Sequence, residues 1–283
     1  MKDTNEIQLA AAQRFHSMHK HGCFVMPNPW DVGTAVYLER LEFEALATTS
    51  AGFAFSRGLA DSASAIERFD MIGHIREIVR ATPLPVNADF QNGFADAPQD
   101  VADNVTLCTA TGVAGLSIED SSGTGDGGLY ESSLAVERVK AARAAIDASG
   151  VPVVLTARCE VYLVGGDDPL RVALDRLVAF AEAGADCLYA PGVTDPDQIA
   201  QIVNAVSPKA VNVLVSRPNP ALSVPRLADL GVRRISVGSA LSMVAWGSFM
   251  RAAQMIKETG SFEGFAGGAS YAELNGLFTN RTQ

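Results

Sequence analysis

Short apolar runs alternate with longer amphipathic stretches along the whole chain. Cys23 to Met26, Ala45 to Thr49, Leu84 to Asp89, Val113 to Glu119, Val151 to Ala157, Asp186 to Ala190, Val211 to Leu214 and Arg234 to Val237 are each too short for a buried helix. They predict eight strands. The longer amphipathic segments between them predict helices at 32–41, 62–81, 98–111, 132–149, 169–183, 195–206, 223–230 and 240–259, after an extra N-terminal helix over 5–20, which carries no helix breaker. Asp31 is placed to cap the helix behind it, and Gly184 to stop another. The stretch from Ser50 to Asp61 reads as a long polar loop, Gly260–Ser270 as a glycine-rich linker, and 271–278 as a last short helix. Short strands alternating with helices make a parallel sheet, and eight such units are the number that closes a barrel. The predicted fold is therefore α/β, a (β/α)8 barrel in one domain over 1–283, with 260–283 as linker and C-terminal helix. An open doubly wound sheet is the alternative, but no GxGxxG follows the first strand.

Two strands end in acid. Gly115-Leu116-Ser117-Ile118 runs into Glu119-Asp120, and Pro85-Val86-Asn87-Ala88 into Asp89. In a parallel barrel the strand C-termini form the rim where ligands bind, so two neighbouring strands tipped with oxygen ligands point to a divalent cation, Mg2+ or Mn2+. Sorting the other rim positions by the same rule collects Asn28, Trp30, Asp31, Ser50, Gly52, Arg158, Glu160, Tyr189, Asn212, Ser216, Gly238 and Ser239. No histidine is among them, which disfavours a Ser-His-Asp mechanism or histidine-ligated zinc. The available tools are a hard cation on carboxylates, an arginine for an anion, and backbone N–H groups. Blander readings stand beside these: Asp31 and Asp61 as helix caps, Arg158 as a structural partner of a barrel acid, and Cys159 as a small buried thiol with nothing nearby to activate it. Ser121 to Tyr130 is rich in glycine but lacks a Walker lysine, so it reads as a mobile lid rather than a phosphate loop.

The formal charge of −10 argues against nucleic acid or an anionic membrane as partner, while leaving room for a small anion at a local arginine. Four scattered cysteines without a CxxC read as reduced thiols of a cytoplasmic protein. The polar N-terminus does not read as a signal peptide, and no apolar run has the length of a membrane span.

Taken in order, Pro27-Asn28-Pro29-Trp30-Asp31, Thr48-Thr49-Ser50-Ala51-Gly52, Asn87-Ala88-Asp89, Ser117-Ile118-Glu119-Asp120 and Leu155-Thr156-Ala157-Arg158 resemble the isocitrate lyase/phosphoenolpyruvate mutase superfamily. The resemblance implies a (β/α)8 barrel whose last helix is swapped between subunits of a homodimer or homotetramer. It implies Mg2+ and a small 2-oxo acid or its enolate as ligands, and the making or breaking of C–C or C–P bonds. Carried over by position, Asp89 and Glu119 match the metal-site acids and Asp61 an acid acting through water. Ser50, Ala51 and Gly52 match the backbone cradle for the 2-oxo acid, and Arg158 the arginine that grips the carboxylate; the rim positions Asn87 and Asn212 are further candidate substrate contacts.

The departures bear on the reaction. The family's Asp-x-Asp at strand three begins here with Asn87, which removes a charge from the metal site. The lid has neither the cysteine of the lyases nor the lysine of the mutases, and Pro191 falls where the mutases have histidine. The expected activity is a Mg2+-dependent lyase or decarboxylase acting on a small 2-oxo acid or its adduct. Two alternatives stay open: C–P chemistry, as in a phosphonopyruvate hydrolase or mutase, and a non-catalytic protein that binds a 2-oxo acid.

Overall fold

The computed structural model describes residues 4–62, 65–122 and 128–279. In chain order it contains α1 (Thr4–Met18), β1 (Phe24–Met26), α2 (Val32–Arg40), β2 (Leu46–Ala47), α3 (Ser50–Ser56), α4 (Arg68–Ala81), β3 (Val86–Asp89), α5 (Pro98–Thr109), β4 (Gly115–Glu119), α6 (Ser132–Ala148), β5 (Val154–Arg158), α7 (Val161–Val164), α8 (Pro169–Glu182), β6 (Cys187–Tyr189), α9 (Pro196–Val206), β7 (Ala210–Leu214), α10 (Val224–Asp229), β8 (Arg234–Ser236), α11 (Ala240–Thr259) and α12 (Tyr271–Phe278). All eight strands are parallel neighbours in one sheet, in the order β1-β8-β7-β6-β5-β4-β3-β2. The remaining seam, β1 to β2, is joined by a hydrogen bond from the Ala47 amide to the Pro27 carbonyl at 3.0 Å. The Asn28 side chain reinforces it, donating to Thr48 O and accepting from the Val237 and Gly238 amides. The (β/α)8 barrel expected from the alternation is present.

Strand after strand is buried on both faces, which is why the runs read as continuously apolar. One large core lies between the sheet and the helices around it. A second, smaller one closes the barrel floor: Ala12 and Phe15 of α1 pack against Phe24, Ala47, Ala114, Val154, Cys187 and Ala210, all near strand N-termini. Gln8 ties α1 to the Thr109 and Val113 carbonyls. A side chain at Gly115 would meet the Phe15 ring at 2.6 Å, so only glycine lets that plug enter.

Three elements differ from expectation. The stretch expected as a polar loop from Ser50 begins with the helix α3, capped by Thr49, whose hydroxyl accepts from the Gly52 amide. Helix α4 starts at Arg68 rather than Ser62, so Asp61 is not its cap. The short α7 lies in a stretch to which the sequence pattern assigns no element. The glycine-rich linker is not an open hinge either. Glu263–Phe265 form a 3-10 turn, and a side chain at Gly264 would meet Ala252 Cα of α11 at 2.7 Å. Helix α11 stands off the barrel with only Ser242 buried, whereas α12 returns to its own α2, where Arg40 donates to Gly276 O.

Candidate active site

Four acids surround one guanidinium at the C-terminal rim. Arg158, the last residue of β5, pairs through its NH1 nitrogen with Asp89 at 2.8 Å, through NH2 with Glu119 at 3.2 Å, and through Nε with Glu160 at 2.8 Å. Asp61, on the loop between α3 and α4, lies close enough that the charges of Asp89 and Arg158 both act on it. The register explains the convergence. Glu119 and Arg158 are partners on adjacent strands, and Asp89 sits one strand further along opposite Ser117, two positions below Glu119 on its inward face.

The second Asp89 oxygen accepts from the Ser50 amide at 2.9 Å and the Ser50 hydroxyl at 2.8 Å. The start of α3 is thereby held against the acids of the site. Among the three expected cradle residues, Ser50 is engaged by Asp89 and Gly52 by the Thr49 hydroxyl, so Ala51 is the one whose amide stands between them. A side chain at Gly52 would meet Thr49 Cγ2 at 2.6 Å and Trp30 Cβ at 3.0 Å, so the turn requires glycine.

Burial and crowding set the charges. Glu119 is pushed up to about 8, first by burial and then by Glu160, Asp89 and Asp61, against the opposing pull of Arg158. Burial raises Glu160 and Asp61 as well, and the surrounding carboxylates raise Arg158 above its ordinary value despite its burial. Four carboxylates against one guanidinium leave a surplus of negative charge, all of it on hard oxygen donors, which is the chemistry that suits Mg2+ or Mn2+. Among the described residues no three Asp, Glu, His or Cys side chains already form a cage around one point. The acids are gathered on Arg158 instead.

The remaining sequence candidates fall into place at different depths. Asn87 is buried two residues below Asp89; its Nδ2 donates to Ala88 O, and its Oδ1 has no partner. Asn212 is also buried, with Oδ1 accepting from Arg234 and Nδ2 donating to Ser236. Cys159 is buried with its thiol pushed up, an inert packing residue. Asp120, beside Glu119, points the other way and binds the Glu160 amide and Arg176. Residues 123–127 of the expected lid lie outside the described residues. On either side of them, Ser122 donates to Gly128 O, and Ser121 pairs with Leu129 in an antiparallel bridge. Glu160 carries a third of the guanidinium's pairing and was assigned no role from sequence. Its spacing of two from Arg158 at a strand end is the signal that could have marked it.

The sequence pattern of phosphoenolpyruvate phosphomutase matches residues 15–257. The chain belongs to this family. Within the phosphoenolpyruvate mutase/isocitrate lyase superfamily, a candidate lyase/mutase of Burkholderia cenocepacia J2315 is 46% identical and superposes with a TM-score of 0.91 over 96% of this chain and 97% of that one. The 2-methylisocitrate lyase of Escherichia coli (strain K12) is 31% identical over 205 residues, 70% of this chain and 68% of the relative. The oxaloacetate decarboxylase of Pseudomonas savastanoi pv. phaseolicola (strain 1448A / Race 6) is 31% identical over 168 residues, 58% and 56% of the two chains. Like these phosphoenolpyruvate mutase relatives, the chain is an enzyme of the carbon–carbon lyase type. No described helix is long and apolar enough to cross a membrane.

Proposed function

We propose that this enzyme cleaves a C–C bond of a small 2-oxo acid or its adduct, with Mg2+ or Mn2+ as cofactor. The observation that carries the reading is Arg158 held by three carboxylates directly opposite the start of α3. A guanidinium so placed can turn one edge to a substrate carboxylate in the two-pronged geometry that lysine lacks. The Ala51 amide, between the engaged amides of Ser50 and Gly52, would hold the other end of a planar 2-oxo acid. Asp89 and Glu119 would hold the cation, with Asp61 acting through water, and the bound ion would supply a Lewis acid for charge developing on the substrate's keto oxygen. Burial and the neighbouring carboxylates favour the protonated form of Glu119, and a bound cation would favour its ionised form. The lyase cysteine and the mutase lysine are both absent after Asp120, where Ser121 and Ser122 stand. That absence supports a decarboxylase or a lyase of another substrate over isocitrate cleavage or phosphoryl migration.

A steady-state screen of oxaloacetate, 2-methylisocitrate and phosphonopyruvate with Mg2+ tests this. Turnover of either of the first two is the expected result. Turnover of phosphonopyruvate alone would move the reading to C–P chemistry, and binding without turnover of any would defeat both.

We also propose a homodimer or homotetramer in which α11 is covered by a second subunit. Val244 is 67% exposed and Phe249 62%, with Met243, Trp246 and Met250 beside them on the same helix, a large apolar face for a lone chain to leave in water.

A further inference from the structure

Among the three carboxylates paired with Arg158, Glu160 alone lies past the end of its strand. It stands directly before α7 without capping it, and its Oε1 accepts from Arg158 Nε at 2.8 Å instead. Behind it sits Asp120, 3% exposed. Asp120 Oδ1 accepts from the Glu160 amide at 2.8 Å, and Oδ2 from Arg176 NH1 at 3.1 Å. The Asp120 amide donates to Arg158 O at 3.1 Å. One residue at the end of β4 therefore holds the backbone on both sides of Cys159. Arg176, on α8, also donates to Tyr130 O at 2.8 Å, and the Tyr130 amide donates to Asp120 O at 2.8 Å.

Stability alone gives little reason for these buried charges, because an ion pair sealed from water adds little over an apolar pair of the same shape. What the pair supplies is direction. A carboxylate accepts on two oxygens; Arg176 occupies one, and the other is left on the Glu160 N–H. The direction matters at Arg158. Its NH1 and NH2 nitrogens pair with Asp89 and Glu119, the proposed cation acids, whereas Glu160 has no part in holding the cation. The Nε–H lies in the plane of the guanidinium, so an acceptor fixed there sets the plane in which NH1 and NH2 must also lie.

We infer that Glu160 is the positioning residue that sets the plane of the Arg158 fork for the substrate carboxylate, and that Asp120, held by Arg176, aims Glu160 at it. The inference rests on the reading of Arg158 as the anion-binding group. It adds to that reading two acids that touch neither the substrate nor the cation and act through Arg158 alone.

Calorimetric titration with Mg2+, and then with oxalate in its presence, tests this on the parent enzyme and on variants matched in charge and size. Glu160→Gln keeps an oxygen for Arg158 Nε and Glu160→Met does not. The Met variant should bind oxalate about tenfold more weakly than the Gln variant, the scale of one hydrogen bond to a charged group, while the two bind Mg2+ equally. Asp120 is tested with Arg176→Leu in the background, so that no unpaired charge is left buried. There Asp120→Asn keeps an acceptor for the Glu160 amide and Asp120→Leu removes it, and the Leu variant should again bind oxalate about tenfold more weakly than the Asn one. Glu160→Ala and Asp120→Ala stand in where a bulkier variant does not fold. Equal oxalate affinity within the Glu160 pair would overturn its positioning role and leave the site reading intact; equal affinity within the Asp120 pair would overturn the link to Asp120. Mg2+ affinity that falls together with oxalate affinity within a pair would mark a general loss of the site and overturn the inference. No oxalate binding by the parent would overturn the 2-oxo acid site and this inference with it.

Discussion

Arg158 is held so that losing its shape matters more than losing its charge. Each of its three nitrogens meets a different carboxylate, and a lysine could meet only one or two of them from a point. Arg158→Lys should therefore lose at least about tenfold in oxalate affinity although the charge is kept; equal affinity would show that Arg158 is a structural partner of the acids and not the anion-binding group. Asp89→Ala removes an oxygen donor and also releases the Ser50 amide and hydroxyl. It should abolish measurable Mg2+ binding by calorimetry, and undiminished affinity would place the cation elsewhere. At this scale the sequence was informative wherever a residue's role follows from its place at a strand end, as for Asp89, Glu119 and Arg158. It was silent where the role depends on depth. Asn87 and Asn212 look like rim residues in the sequence, yet both are sealed inside the barrel, because inward positions two residues apart on short, tilted strands belong to different layers.

Helix α1 stoppers the barrel, and its anchoring residue is Phe15, fully buried against the strand N-termini. Phe15→Ala should cost about 3–5 kcal/mol of stability by chemical denaturation, because the cavity it leaves is walled by backbone at Gly115 and cannot collapse. A loss under about 1 kcal/mol would mean that α1 is an appendage. The alternation of apolar and amphipathic segments made all eight strands legible, since each is a short run buried on both faces. Helices α3 and α7 were not legible. They are seven and four residues long, too short for a 3.6-residue period to register, and α3 is specified by the Thr49 cap and the glycine contact at Gly52 instead. Arg234 and His19 were passed over for a related reason: an arginine opening a three-residue strand and a histidine just past a helix look like surface residues until the fold closes over them.

Across the whole molecule two buried histidines stay neutral. Burial is the main cause in both, lowering His19 to about 3, with help from Arg234, and His74 to about 4, where the ring stacks on Phe53 at 3.9 Å. The unfolded chain binds these protons near pH 6.5 and the folded one does not, so stability is full above that pH and is lost as pH falls toward the folded values. Each group contributes a slope of about 1.4 kcal/mol per pH unit in that window. His74→Gln should flatten the decline of folding free energy between pH 6 and 5 relative to the parent by about that amount, and parallel curves would count against a neutral His74. The proposed assembly is tested by light scattering: a dimer or tetramer at micromolar concentration is expected, and a monomer would leave the α11 face without the subunit proposed to cover it.

The barrel's strands are not equally fastened. Seven of its seams are ladders, while β1 and β2 meet through the Ala47 amide and the Asn28 side chain. A ring breathes where its clasp is, so deuterium should enter here first. The Ala47 amide should exchange through local opening well before those of Leu116 or Leu155, which sit in the β4–β5 ladder on the opposite wall. Asn28→Ala should speed that exchange further while leaving the opposite wall's protection unchanged. Thr48 of the clasp stands two residues before Ser50, so the place where the cylinder most readily parts also carries the start of α3, the proposed cradle for the anion.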